Sequence, residues 1–143
     1  MRLIIRDGTK PVGGGGLTFD LSEVLEALGQ NARSWVWRGR DIHYVSRDER
    51  DVAVVHALAE GRAVAGADLL AGLEELLQVI GGEFEAIEPG KEAPSVVVRV
   101  VDSSWWEVLS DDAAVLAAIR RRFRVVEEDG SGDLPPKSAT RIV

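Results

Sequence analysis

One set of side chains in this sequence could support catalysis: Arg38, Asp41 and His43. They lie within SWVWRGRDIHYV, residues 34–45, a stretch whose aromatic and β-branched residues predict β structure. Residues two apart on a strand share a face, so Asp41 and His43 would lie side by side. A carboxylate beside a histidine can hold it as a general base. A charged strand surface gives the same pattern without any chemistry.

The other motifs that could carry chemistry are incomplete. GGGGLTFD, residues 13–20, lacks both the GK[ST] ending of a P-loop and the GxGxxG pattern of a dinucleotide-binding turn. RRRFR, residues 120–124, ends a predicted helix, where the helix dipole repels anions. The chain has two histidines, without a metal-ligand spacing, and no cysteine. The sequence therefore predicts no metal site and no cofactor.

Composition places the chain among ordinary globular proteins. Its 143 residues, 45% hydrophobic and 29% charged, are enough to bury a core in one domain. A net charge of −7 argues against nucleic-acid binding, which needs a basic surface, and suits either plain solubility or a basic protein partner. No apolar run approaches the roughly 18 residues of a membrane span. Together with the lack of cysteine, this predicts a cytoplasmic protein without membrane association.

Four segments have the apolar spacing and the end signals of helices: residues 20–30, 46–61, 67–82 and 110–123. Asp20 with Glu23, and Ser46 with Glu49, have the spacing of a capping box. Ser110 is the predicted cap of the last helix, whose three terminal arginines complement the helix dipole.

The segments between these helices predict strands, at residues 2–6, 34–45, 83–88, 95–101, 105–109 and 123–128. The order β-α-ββ-α-α-β-β-β-α-β favours an α+β fold with a largely antiparallel sheet of about five to seven strands and about four helices. Residues 1–128 are predicted to form one domain. Residues 129–143, rich in glycine, proline and polar residues, are predicted to be a mobile tail.

The stretch 34–45 has two interpretations. The preferred one is a hairpin with a two-residue turn at Gly39 and Arg40. Its apolar face would comprise Trp35, Trp37, Ile42 and Tyr44. Its other face would carry Val36, Arg38, Asp41 and His43. The alternative is one long strand with a bulge at Gly39, since glycine is common at bulges.

The adjacent residues Trp105 and Trp106 open a predicted strand. Successive side chains of a strand alternate between its faces, so the two indoles cannot share one core. A three-residue loop, Asp102–Ser104, before this strand sets Arg99 opposite Glu107, whereas a two-residue loop leaves both charges unmatched. The three-residue register predicts that Trp106 lies in the core and Trp105 on the opposite face.

Full burial of an indole is worth roughly 4 to 6 kcal/mol at about 25 cal/mol per Å². This predicts core positions for Trp35, Trp37 and Trp106. Trp105 has two interpretations: a helix covers it, or it is exposed beside an apolar spot with a charged rim, as interface hot spots are. In the second case the predicted binding residues are Trp105, Arg99, Glu107 and Leu109.

These features predict a small cytoplasmic binding module that contacts a protein partner and has no catalytic activity. Its size and acidity suit a bacterial immunity or antitoxin-type protein that blocks a basic enzyme, an analogy from class alone.

The alternative function is a small-ligand binder or hydrolase-like enzyme with a cleft between the aromatic stretch and the Gly13–Gly16 loop. His43, Asp41 and Arg38 would supply its polar groups. A third possibility is a structural accessory domain without a discrete site.

Overall fold

The fold is an antiparallel sheet with helices packed on one of its faces. The computed structural model describes residues 1–6, 20–46, 52–101 and 105–129. Within them the chain forms β1 (Arg2–Ile5), α1 (Leu21–Ala27), α2 (Gln30–Ser34), β2 (Val36–Ser46), α3 (Ala53–Ala59), β3 (Val64–Ala65), α4 (Gly66–Leu73), β4 (Leu76–Ile87), β5 (Val96–Val101), β6 (Trp105–Leu109), α5 (Ala113–Arg122) and β7 (Val126–Asp129). The predicted α+β class, with about four helices, is confirmed.

The sheet has seven strands in the order β3-β2-β4-β5-β6-β1-β7. Every described pairing is antiparallel. The first strand of the chain lies between β6 and β7, so the last described strand completes the sheet beside the first. The first and last described strands, β1 and β7, are therefore neighbours in the sheet.

The core lies between the helices and one face of the sheet. Strand side chains at alternate positions reach it, and those of the central and N-terminal strands are Leu3, Ile5, Phe84, Ala86, Val96, Val98, Val100, Trp106 and Val108. The predicted core tryptophans are confirmed, since Trp35, Trp37 and Trp106 expose 6%, 0% and 0% of their surface. The indole N–H of Trp37 donates to the Ala32 carbonyl at 2.9 Å, which satisfies it inside the core.

The predicted start of α1 is confirmed. The Glu23 carboxylate accepts a hydrogen bond from the Asp20 backbone N–H at 2.7 Å. Both Asp20 carboxylate oxygens lie 3.1 Å from the Val79 backbone N–H, which ties the start of α1 to β4. Burial raises the pKa of the Asp20 carboxyl, while the N–H groups of Val79 and Leu21 oppose that shift.

The other two predicted caps differ from the structure. Ser46 is the last residue of β2, and α3 begins only at Ala53; Glu49 lies outside the described residues. Asp112, not Ser110, caps α5 by accepting from the Ala114 N–H at 2.8 Å. The Ser110 hydroxyl is buried and donates instead to the Ser95 carbonyl at 2.8 Å.

The predicted helix over residues 67–82 is wrong in its second half. Helix α4 covers Gly66–Leu73, and the chain then enters the twelve-residue strand β4. Leu76 and Val79 stay buried, but they reach the core from a strand. The leucine spacing fits a helix locally, whereas β4 pairs with β2 on one side and β5 on the other. Those pairings outweigh the local preference.

The predicted hairpin turn at Gly39 and Arg40 is also wrong, and the alternative of one long strand is correct. Strand β2 runs for 11 residues alongside β4. Its pairing with β4 is irregular at three places, of which the first is a bulge between Arg40 and His43; none of them is at Gly39. Asp41 has a φ of 53° within this bulge, a conformation that aspartate tolerates better than most residues. The extra residue of the bulge keeps Ile42 and Tyr44 packed against the core.

Two short elements, α2 and β3, were not predicted from the sequence. They bring Gly66, the first residue of α4, against the backbone of α2. The Gly66 N–H donates to the Trp35 carbonyl at 2.9 Å.

Two further predictions concern the chain as a whole. Residues 130–143 of the predicted tail lie outside the described residues, and Asp129 belongs to β7. None of the helices in the described ranges combines the length and apolar character needed to cross a bilayer.

Candidate interaction surface

The face of the sheet opposite the helices, here called the outer face, carries most of the residues that sequence analysis selected. Because strand side chains alternate, the residues between core positions point to this face. The predicted register between β5 and β6 is confirmed in full: Val101 pairs with Trp105, Val100 with Trp106, Arg99 with Glu107 and Val98 with Val108. The loop that joins these strands lies outside the described residues.

Two cross-strand rows run along the outer face, perpendicular to the strands. The strand pairings place one residue of β2, β4, β5, β6, β1 and β7, in that order, in each row. The first row consists of Arg40, Glu83, Arg99, Glu107, Ile4 and Glu127. The second row consists of Arg38, Glu85, Val97, Leu109, Arg2 and Asp129.

Ion pairs link the rows into a network that spans these six strands. Its links are Arg40–Glu83 at 3.3 Å, Glu83–Arg99 at 3.5 Å, Arg99–Glu107 at 3.5 Å, Glu107–Arg2 at 3.6 Å, and Arg2–Asp129. The hydrogen bond with Asp129 raises the pKa of the Arg2 guanidinium. Isolated surface ion pairs stabilise proteins little, but a network holds each long side chain at more than one point.

Glu107 is the centre of this network. Only 8% of its side chain is exposed, and its Oε1 atom lies within 3.6 Å of Arg2 and 3.5 Å of Arg99. Its Oε2 atom accepts a hydrogen bond from the Trp105 indole N–H at 3.0 Å. A buried carboxylate needs such partners to remain charged. Glu107 therefore holds Trp105 and two arginines in place.

Trp105 lies at one corner of the outer face and is half-buried. The Arg6 guanidinium lies 5.1 Å from its ring centroid, within cation–π range. The Arg6 Nε–H donates to the Glu127 carboxylate at 3.0 Å. The Arg6 backbone N–H donates to the carbonyl of Val125, a residue that is 50% exposed. No described helix covers the indole; a charged side chain lies over it instead.

The centre of the outer face is not open to solvent. Val97 and Leu109 expose 0% and 3% of their surface, although neither belongs to the core under the helices. Leu109, one of the predicted binding residues, is therefore not presented to a partner. The arginines Arg2, Arg40 and Arg99 expose 24 to 34% of their side chains. Charged groups form the accessible part of this face.

Arg38, Asp41 and His43, the candidates for catalysis, lie apart from the ion-pair network described above. All three are exposed on β2, and within the described ranges no hydrogen bond or ion pair joins them. Arg38 lies opposite Glu85, and His43 lies opposite Gly81. The Gly13–Gly16 loop of the alternative cleft lies outside the described residues. The second histidine, His56, pairs on the surface with Glu60 at 3.2 Å.

Comparisons with known proteins give no family for this chain. No protein-family model, curated protein or solved structure matches it.

Sequence analysis missed the continuity of the ion-pair network. Arg99 and Glu107 were found because their strands are adjacent in sequence. Arg2 and Arg40 come from β1 and β2, whose partners in the network, β6 and β4, are not the next strands along the chain. Glu83 joins Arg40 to Arg99 and so depends on the same strand order. The available signal was a charge at alternate positions, as in Glu83 and Glu85, but the partners depend on strand order.

A recess at one end of the sheet was also missed. Its volume is about 660 Å³, and its lining includes four carboxylates, Glu88, Glu92, Asp111 and Asp112. In the part of the chain that the structure describes, no three histidine or carboxylate side chains are grouped so that they could hold a metal ion.

Proposed function

We propose that this protein is a small non-catalytic binding module that contacts another protein through its outer face, at the corner formed by Trp105. The observation that supports this is a half-buried indole held between the Glu107 carboxylate and the Arg6 guanidinium. Tryptophan and arginine are the residues most enriched at the energetic centres of interfaces.

The restraint on Trp105 is what makes it suited to binding. Ordering a side chain at an interface costs about 0.5 to 1.5 kcal/mol, and an indole that is already held avoids part of this cost. The indole is the apolar part of this corner, and the Arg6–Glu127 ion pair borders it. Val125, which is 50% exposed, lies on the other side of Arg6, whose backbone N–H bonds the Val125 carbonyl. An apolar centre with a charged rim is typical of an interface.

The net charge of −7 bears on the choice of partner. An acidic protein is attracted to a basic one at long range. A basic enzyme that is blocked by a bacterial immunity or antitoxin-type protein would be such a partner. The experiment below can identify it.

The test is affinity capture from the source cells with the wild-type chain. Each purified partner is then titrated against the wild type, Trp105→Ala and Val36→Ala. Trp105→Ala should weaken binding by about 30-fold or more, the loss expected of a hot-spot residue. Val36→Ala is the matched control, because Val36 is 38% exposed on β2, at the far side of the same sheet. A partner that binds all three forms equally, with Trp105→Ala folded, would contradict the proposal.

A further inference from the structure

The charge pattern of the outer face points to one particular partner. We infer that a second copy of this chain packs on the outer face, related to the first by a two-fold axis that runs parallel to the strands between β5 and β6. The inference rests on the proposed function, because it takes the outer face as the contact surface and names its occupant.

The two-fold axis sets each row of one copy against the same row of the other copy in reverse strand order. Strand β2 then faces β7, β4 faces β1, and β5 faces β6. In the second row, the accessible pair is Arg38 of one copy with Asp129 of the other, an arginine with a carboxylate. Glu85, Val97 and Leu109 are buried (3%, 0% and 3% exposed), so they lie beneath this contact and take no part in it.

The first row gives the same result under the same axis. Arg40 meets Glu127, whereas Glu107, which lies across from Arg99, is only 6% exposed and adds no contact. Glu83 meets the apolar Ile4, so no pair of like charges forms. Trp105 and Val101, which are paired on neighbouring strands, meet each other across the axis.

The other two-fold axis within the plane of the sheet, perpendicular to the strands, sets each strand against itself. Arg38 would then face Arg38 or Arg40, and Asp129 would face Asp129 or Glu127. Like charges facing each other oppose association. The pattern therefore selects one orientation, with the strands of the two sheets nearly aligned, as in ordinary sheet packing.

The balance of charge on this face also allows a second copy to approach. The two rows hold four arginines and five carboxylates, so the face is close to neutral, whereas the chain carries −7. Two acidic molecules meet with least repulsion at such a face.

Sedimentation velocity over a range of concentrations tests the inference with charge-swap variants of the full chain. The wild type should form a dimer. Arg38→Glu should weaken it by about 10-fold or more, since two opposite-charge contacts become like-charge ones. Adding Asp129→Arg should restore the affinity to within about threefold. The two sites lie five strand spacings apart, about 24 Å, so within one chain they cannot compensate each other.

Cysteine cross-linking gives a second readout that does not depend on affinity. The chain has no cysteine, so Arg38→Cys and Asp129→Cys each introduce a single thiol. Packed sheets lie about 10 Å apart, beyond the reach of a disulfide, so a short bifunctional maleimide is the reagent. Mixed single-cysteine chains should give only links between positions 38 and 129. Links between two residues 38 or two residues 129 would overturn the orientation.

The outcomes separate this inference from the proposed function. A folded chain that stays monomeric at all concentrations overturns the second copy as occupant. If such a monomer still captures a basic protein in a Trp105-dependent manner, the proposed function stands and only its occupant changes. If it captures none, both proposals fail.

Discussion

The neighbouring residues Trp105 and Trp106 show how one position along a strand changes the role of a side chain. Trp106 is fully buried under the helices, in the same core as Val98 and Val108. Trp105 lies on the outer face, where its contacts are with Arg6 and Glu107. The same residue type therefore stabilises the core at one position and shapes the surface at the next.

Alanine substitutions should separate these two roles. We expect Trp106→Ala to lower the free energy of unfolding by about 3 to 5 kcal/mol, because it leaves a cavity in the core. Trp105→Ala removes a hydrogen bond and a cation–π contact, and should cost about 2 kcal/mol or less. Urea denaturation followed by circular dichroism measures both. Equal losses would show that Trp105 is a core residue.

Asp20 is the residue whose ionisation is expected to affect stability. Because burial raises its pKa above the ordinary value of 3.8, the folded protein binds this proton more tightly than the unfolded chain does. The resulting contribution to stability is complete below the ordinary pKa and is lost as the pH rises through the raised pKa. Ionised Asp20 is therefore the less favourable form in the fold.

Asp20→Asn keeps an oxygen for the Val79 N–H but cannot ionise. We expect the unfolding free energy of the wild type, minus that of Asp20→Asn, to fall as the pH rises from 3.8 towards neutrality. Urea denaturation at a series of pH values measures this difference, with the exposed Asp68→Asn as the control. A difference that grows with pH would contradict the sign of the shift.

At the scale of elements, the junction between α4 and β4 shows where local pattern and sheet pairing compete. Leu69, Leu70 and Leu73 have helical spacing and are buried in a helix. Leu76 continues that spacing, yet it begins a strand. Val79, Ile80 and the two glycines that follow are poor helix formers, so a signal for the change was present. Periodicity alone favoured the longer helix.

The contact between α2 and α4 depends on a glycine. A Cβ atom at position 66 would overlap the Ala32 carbonyl oxygen, which already accepts the Trp37 indole N–H. We expect Gly66→Ala to lower the free energy of unfolding by about 3 kcal/mol, since backbone atoms must separate. Ala67→Ser, at an exposed position of the same helix, should change it by less than about 0.5 kcal/mol. Thermal denaturation of both variants checks the contrast.

At the scale of the whole molecule, one core cluster joins the helices to every strand of the sheet except β7. Strand β7 contributes Val126, which is partly buried and packs against this cluster. The central strands β4, β5 and β6 each have a neighbour on both sides. At the edges, β3 has two residues and β7 has four. This arrangement predicts one cooperative unit with edges that open locally.

Native-state hydrogen exchange tests this expectation. Amides of β4, β5 and β6 that are bonded within the sheet should exchange only through global unfolding. Amides of β3 and β7 should exchange faster, through local opening of the edges. If β2, β4, α3 and α4 lost protection together, before β5 and β6, the chain would contain two units rather than one.

Residue patterns determined much of this protein. Strand alternation and the match between Arg99 and Glu107 were enough to predict the β5–β6 register, the burial of Trp106 and the outward position of Trp105. The α+β class followed from the order of the segments. These features depend on residues close in the chain, for which periodicity and charge pairing are strong constraints.

Only the tertiary structure decided the rest. The placing of β1 between β6 and β7 brings Arg2 to Glu107 and Arg6 over Trp105, across about one hundred residues of chain. The ion-pair rows, the long β2 strand and the end of α4 all follow from which strands become neighbours. That choice is made by the burial and backbone pairing of the whole sheet, to which each local segment contributes only a small part.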